Sequence, residues 1–147
     1  MIIDIDNFMG FVIKETTSTQ LKKALTDDGI SFKEYPDYFD KNKNSVTFPY
    51  RLSDITWNCE LQLENNVLKH VVLNVYSPDS HKIYKKICKD LLERYGSIYN
   101  VYNRQDNDEG TETLSFANKD NMWKFTEIVY DSSPILGQKN IYIYYYA

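Results

Sequence analysis

The sequence predicts a single α+β domain, residues 1–147, in which two tandem helix-plus-antiparallel-strand units share one antiparallel sheet with the helices on one face. Three observations predict this class. An amphipathic helix pattern covers 77–96, alternating strand patterns lie on both sides of it, and the order of elements is similar in about 8–76 and 77–147. A chain of 147 residues has the size of one domain and can bury roughly 70% of its unfolded surface.

Two helices are predicted from the residues that would begin and end them. The longer one begins at Ser77-Pro78-Asp79, which supplies a cap, a proline suited to the first helical position and an acid near the positive helix end. Gly96 ends it, as glycine commonly does after a last helical turn. The shorter helix begins at a capping box between Thr17 and Gln20 and ends at Gly29.

Strands are predicted wherever apolar and polar residues alternate between turn residues. The first half has short strands near 8–13 and 30–35 and a strand pattern over 46–76, with a break at Ser53-Asp54 and a hairpin turn at Asn65-Asn66. The second half has strand patterns at 98–103, 111–117, 122–130 and 140–147.

The register of the hairpin at Asn65-Asn66 decides which residues share a face. Trp57, Cys59, Leu61 and Leu63 form the apolar face of its first strand. A two-residue turn would pair Glu64 with Val67 and set a mixed group beside that face, namely His70, Val72 and Asn74. A three-residue turn would pair Glu64 with Leu68 and set an apolar group there instead, namely Val71, Leu73 and Val75. We prefer the second register, and we expect Ile87 and Leu91 of the long helix to be buried with Trp57 and Leu61.

The two halves resemble each other at an offset of about 67 residues, since Gly29 and Trp57 in the first half correspond to Gly96 and Trp123 in the second. Further residues extend the pattern over most of the chain: Phe8-Met9-Gly10, Leu25-Thr26-Asp27-Asp28-Gly29, and Leu91 to Gly96 with Trp123 downstream. With these residues the sequence resembles a loose bacterial group that has the fold of the beta-lactamase inhibitory protein, a tandem repeat of helix and antiparallel sheet. The resemblance implies a fold and no particular function.

Composition excludes several classes of protein. The net charge of −4 disfavours a general nucleic-acid binder, because phosphate affinity rests on clustered basic residues. No apolar run approaches the roughly 20 residues that a membrane helix needs, and the N-terminus lacks the basic and apolar regions of a secretory signal. We therefore expect a soluble cytoplasmic protein without a nucleic-acid or membrane partner. Cys59 and Cys88 are too few for a disulfide scaffold, and we expect both thiols to be reduced and buried.

No catalytic, metal-binding or cofactor-binding motif is recognisable. Cys59 and His70 would lie on opposite sheet faces in the preferred register, which excludes a nucleophile–base pair. His81, in the first turn of the long helix, is interpreted as a surface residue. The acidic segment 106–110 lacks the alternating ligands of a calcium loop, and the five glycines are not grouped as in a phosphate-binding loop. We expect no catalytic residue, no metal and no cofactor.

Tyrosine is the unusual feature of the sequence, with thirteen in all and four in 142–146. Alternation sets Tyr142, Tyr144 and Tyr146 on one face of the last strand and the residues between them on the other. Such a row can brace a solvated sheet through cross-strand aromatic pairs. It can equally form a contact surface, because tyrosine is enriched where proteins meet.

The leading hypothesis is a non-catalytic protein-binding module that contacts another protein through Tyr142, Tyr144, Tyr146 and His70 on the open sheet face. The alternative is a small-ligand-binding sensor or an enzyme of unknown class, whose pocket would use His70, Asn74 and Asn58. A broad aromatic face would favour the first hypothesis, and a deep pocket with convergent polar groups the second.

Overall fold

A computed structural model of the protein describes residues 3–5, 7–132 and 139–147. These residues form two helices and eight strands: α1 (Ser18–Asp27), β1 (Lys33–Pro36), β2 (Lys43–Leu52), β3 (Ile55–Glu64), β4 (Val67–Tyr76), α2 (Ser80–Tyr95), β5 (Asn100–Asp106), β6 (Thr111–Ala117), β7 (Phe125–Asp131) and β8 (Asn140–Tyr146). The mixture of helices with an antiparallel sheet confirms the α+β class. No described helix is both long enough and apolar enough to cross a membrane.

All eight described strands belong to one sheet, in the order β1-β2-β3-β4-β8-β7-β6-β5. Every neighbouring pair is antiparallel. The central pair joins β4 to β8, so residues about 70 positions apart in the chain lie side by side, as Val72 and Tyr144 do. This pairing brings the tyrosine-rich strand into the middle of the sheet.

The two helices begin and end partly as predicted. Thr17 and Gln20 form the capping box, with Oγ1 of Thr17 accepting from the Gln20 amide at 3.2 Å and Oε1 of Gln20 accepting from the Thr17 amide at 2.9 Å. The predicted start of α2 is two residues early, since its N-cap is Asp79 and not Ser77, and the Asp79 side chain makes no capping hydrogen bond. Gly96 is the C-cap of α2 with a φ of −60°, whereas Gly29 after α1 has a φ of +72°. Of these two glycines, Gly29 is the one that uses the left-handed freedom of glycine.

The hairpin between β3 and β4 corrects one part of the prediction and confirms another. The turn has two residues, Asn65 and Asn66, both with positive φ, and Glu64 pairs with Val67. The predicted three-residue turn is wrong. A β-bulge then inserts Lys69 into β4, and beyond it Leu61 pairs with Val71. Because the extra residue shifts the alternation by one position, Val71 and Leu73 share a face with Leu61 and Cys59. This is the facing that the preferred register predicted.

Two other expectations are wrong. Residues 8–13 form turns instead of a strand, because Asn7 Oδ1 accepts from the Gly10 amide at 2.7 Å and the chain reverses on itself with only an isolated bridge from Phe8 to Phe11. Trp123 precedes β7 and is 75% exposed, whereas Trp57 lies within β3 and is fully buried. The two tryptophans therefore do not occupy equivalent positions.

One hydrophobic core joins the helices to alternate residues of the strands. It contains Ile87 and Leu91 of α2 together with Trp57 and Leu61 of β3, as predicted, and α2 packs across β7 and β8. Leu21 and Leu25 of α1 belong to the same core. The strand residues that point into this core define the inner face of the sheet. The alternate strand residues define the outer face, and none of them belongs to this core.

Candidate functional site

The candidate site is a row of three tyrosines on the outer face, at the centre of the sheet. Strand β8 lies between β4 and β7, and its inward residues Ile141, Ile143 and Tyr145 are buried. Tyr142, Tyr144 and Tyr146 point to the other side and are partly exposed. We call these three residues the tyrosine ladder. Its facing follows directly from the alternation of the strand.

The rings of the tyrosine ladder are stacked on one another. The ring centroids of Tyr142 and Tyr144 are 5.7 Å apart at an interplanar angle of 17°, and those of Tyr144 and Tyr146 are 6.0 Å apart at 20°. Stacking in this way restricts the rotamers of all three side chains. The ladder is therefore a preorganised aromatic surface.

Two neighbouring strands extend the aromatic surface beyond Tyr146. Phe125 of β7 stacks on the Tyr146 ring at 4.6 Å and 26°, and His70 of β4 meets the same ring edge-on at 5.2 Å and 67°. Burial lowers the pKa of His70 below its ordinary value of 6.5, so its ring is neutral near pH 7. Its Nδ1 is buried without a hydrogen-bond partner among the described residues.

Glu127 of β7 is the charged neighbour of the ladder. It pairs across the strands with Tyr144 on one side and Ser115 on the other, and it is half-buried. Burial raises the pKa of its carboxyl. Among the described residues, no side chain or amide donates a hydrogen bond to this carboxylate or pairs with it as a cation. A partly desolvated negative charge therefore lies beside the aromatic rings.

The phenol groups of Tyr144 and Tyr146 are neutral hydrogen-bonding groups. Burial, followed by the neighbouring Tyr142, Tyr146, Glu127 and Asp131, raises the pKa of Tyr144 to about 12. Burial and then Glu127 also raise the pKa of Tyr146. The Tyr144 and Tyr146 hydroxyls keep their protons at physiological pH, and each can donate as well as accept.

The ladder forms one wall of a shallow groove of about 550 Å³ over strands β5 to β8. The groove is lined by Arg104, Asp106, Glu109, Thr111, Thr113, Glu127, Val129, Asp131 and the three tyrosines. Four of these residues carry carboxylates and one carries a guanidinium group. The groove is therefore both aromatic and negatively charged.

The residues of the alternative pocket do not converge. Asn58 and Asn74 face each other across β3 and β4, and His70 lies one residue pair beyond Val72 on the same surface. The Asn74 amide donates to Asn140 Oδ1 at 3.2 Å and to the Ile141 carbonyl at 3.3 Å, so it stabilises the sheet. These side chains form part of an open surface and do not surround a ligand.

The two thiols occupy different environments. Cys59 is fully buried on the inner face, and burial raises its pKa well above the ordinary value. It is separated from His70 by the thickness of the sheet. Cys88 is only half-buried, which corrects the expectation that both are buried, and burial raises its pKa to about 11. Both are free and protonated at neutral pH, a state in which sulfur is a poor nucleophile.

His81 is partly exposed, as its interpretation as a surface residue requires, but it has partners that the sequence did not indicate. Its Nε2 lies 3.2 Å from Glu112 Oε1, and its ring lies 4.7 Å from that of Tyr130. Glu112 also accepts from Gln105 Nε2 at 3.3 Å. These contacts connect α2 to strands β5 to β7.

Glu127 and Phe125 are the neighbours of the ladder that sequence analysis missed. Both alternate with buried residues on β7, so their outward facing could have been predicted from the strand pattern. Their pairing with Tyr144 and Tyr146 could not, because eight residues separate β7 from β8 and no short turn defines the register.

No three described His, Cys, Asp or Glu side chains come together in a way that could bind a metal ion. Comparison with known proteins adds no assignment: no protein family model, curated protein or solved structure matches the chain. The outer face, with its tyrosine ladder and its acidic groove, is therefore the feature from which a function has to be inferred.

Proposed function

We propose that this protein is a non-catalytic binding module that contacts another protein through the outer face of its sheet, using Tyr142, Tyr144, Tyr146 and His70. The observation that carries the proposal is the stacked, partly exposed tyrosine ladder at the centre of that face. Tyrosine is enriched at protein interfaces and among the few residues that carry most of the binding free energy.

The geometry of the ladder supports a role in binding. A tyrosine ring offers a large contact area at a small cost in side-chain entropy, and mutual stacking lowers that cost further. The ladder hydroxyls make no hydrogen bond to a described residue, so all three can bond to a partner. Free hydroxyls contribute nothing to the bracing of a sheet, whereas they can form hydrogen bonds with a bound protein.

We also propose that the chain consists of two tandem units, one with α1 before β1 to β4 and one with α2 before β5 to β8, with both helices over the inner face. The element order supports this arrangement, as does the central pairing of the last strand of each unit. It would leave the outer face uncovered. The resemblance to the beta-lactamase inhibitory protein fold remains a prediction.

A second candidate function, binding of a small ligand, is favoured by a groove between α2 and strands β5 and β6, of which β5 is the edge strand. Its volume of about 460 Å³ lies in the range of small-molecule sites, and Tyr84, Cys88, Gln105 and Glu112 line it. A ligand there would slow the reaction of Cys88 with a thiol reagent and leave the tyrosine ladder unperturbed in a nuclear magnetic resonance titration.

Photo-crosslinking tests the protein-binding proposal in the native host. A photoreactive amino acid replaces Tyr144 in the full chain, and a matched control carries it at Lys86, an exposed residue of α2. We expect a defined partner to be crosslinked from position 144 and not from position 86. Equal labelling from both positions would count against the outer face.

Affinity measurements with the recovered partner complete the test. Tyr144→Ser combined with Tyr146→Ser should weaken binding by more than about 1 kcal/mol, or about fivefold, with folding largely retained. The control pair Tyr35→Ser with Tyr38→Ser removes two exposed tyrosines outside the ladder and should leave affinity unchanged. If the ladder only braces the sheet, the first pair will instead lower stability by about 0.2 to 1 kcal/mol per lost cross-strand contact without affecting binding.

A further inference from the structure

We propose that the partner presents an extended arginine-bearing segment, whose guanidinium groups pair with Glu127 and donate to the hydroxyls at the exposed edge of the tyrosine ladder. This inference rests on the proposed function, because it concerns the chemistry of the partner at the same face. It is carried by the charge of the groove, by the position of Glu127 and by the spacing of the rings.

The charge around the ladder is complementary to a cationic partner. Asp106, Glu109, Glu127 and Asp131 line the groove beside the tyrosines, against the single positive charge of Arg104. The five charged residues of the groove carry a net charge of −3, whereas all 147 residues of the protein together carry −4. Negative charge is therefore concentrated at the groove. An interface with this potential attracts basic segments and repels acidic ones, nucleic acids included.

The position of Glu127 selects against a neutral or acidic partner. Its carboxylate is already half-buried and has no cation or hydrogen-bond donor among the described residues. A protein that covered the ladder without supplying a cation would complete the desolvation of this charge, which is costly. A guanidinium group would compensate it with directed hydrogen bonds.

The hydroxyls and Glu127 favour arginine over lysine. A guanidinium group is planar, weakly hydrated and carries five N–H donors in a fixed fork, so it can donate to a tyrosine hydroxyl and to a carboxylate together. Tyr144 and Glu127 are cross-strand neighbours, so one group can contact both. A lysine ammonium is a compact, strongly hydrated point charge without such a fork.

The spacing of the ladder indicates how the arginines are arranged. Successive ring centroids lie 5.7 and 6.0 Å apart. Alternate residues of an extended chain project on one side at intervals of about 6.6 Å. Arginines at alternate positions of an extended segment therefore come at nearly the spacing of successive tyrosines, so each can reach the hydroxyl of one ring.

A labelled peptide in which arginine alternates with serine tests this inference directly on the purified full chain. Fluorescence anisotropy should report saturable binding. Replacing each arginine by citrulline, which keeps the shape and removes the charge, should weaken binding by at least about fivefold. Failure of the arginine peptide to bind, or equal binding of the citrulline peptide, would overturn the inference.

Two glutamate variants test the location. Glu127→Gln should weaken the arginine peptide at least about fivefold, whereas Glu93→Gln, at an exposed position of α2, should change the affinity by less than about twofold. Equal effects of the two variants would indicate non-specific charge attraction and reject the site. Thermal unfolding verifies that Glu127→Gln is folded, and we expect it to be at least as stable as the parent because a partly buried charge is removed.

The same variants separate this inference from the proposed function. If the crosslinked partner binds less tightly to the Tyr144→Ser, Tyr146→Ser variant but equally well to Glu127→Gln, the outer face is the binding surface and the cationic chemistry is wrong. If neither variant changes its affinity, the proposed function itself fails. Weakening by both supports the two together.

Discussion

Replacing Leu91 with alanine is the most direct test of how α2 packs on the sheet. Leu91 is fully buried in the core where α2 crosses β7 and β8. The substitution removes three carbon groups at about 0.8 kcal/mol each, or about 2.4 kcal/mol of transfer free energy. The cavity left behind adds to this, so the expected loss in unfolding free energy is about 2 to 5 kcal/mol.

Leu92→Ala is the matched control, because the same change is made one residue further along the same helix. Leu92 is 42% exposed, so its truncation should cost less than about 1 kcal/mol. Urea unfolding followed by circular dichroism measures both variants at constant protein concentration. Equal losses for the two variants, or a loss below about 0.5 kcal/mol for Leu91→Ala, would refute the facing of α2.

Two further predictions concern protons and thiols. Burial lowers the pKa of His70, with Glu64 acting to raise it and Lys69 to lower it, so the unfolded chain binds the proton more readily and stability should decrease as the pH falls below about 6.5. His70→Gln should make the unfolding free energy less sensitive to pH in that window, and an unchanged pH profile would contradict the burial of the ring. Cys59 should resist a thiol reagent until the protein unfolds, because it is buried. Cys88, with a pKa of about 11, should react slowly at pH 8. Rapid labelling of both thiols in the native protein would contradict these environments.

Much of the candidate site could be predicted without a structure because its facing is a local property. Alternation along β8 is enough to set Tyr142, Tyr144 and Tyr146 on one side, since successive residues of a strand point in opposite directions whatever the strand pairs with. The capping box of Thr17 and Gln20 is equally local, as both hydrogen bonds lie within one helical turn.

The bulge at Lys69 illustrates how a local argument reached a correct facing through an incorrect turn. The apolar pattern required Val71 on the same face as Leu61, and a longer turn was the simplest means of achieving it. The chain instead forms a tight turn with both asparagines at positive φ and corrects the register by one residue further along. Patterning specifies which side chains are buried, whereas several backbone routes satisfy the same burial.

By itself, the sequence determined the α+β class, the capped start of α1, the position of the turn near Asn65-Asn66 though not its length, and the outward row of tyrosines, because these depend on residues within a few positions of one another. Only the tertiary structure decided that β8 lies between β4 and β7, which brings His70, Phe125 and Glu127 against the ladder. Strand order depends on contacts between residues far apart in the chain, and many pairings satisfy the same alternation until the whole core packs.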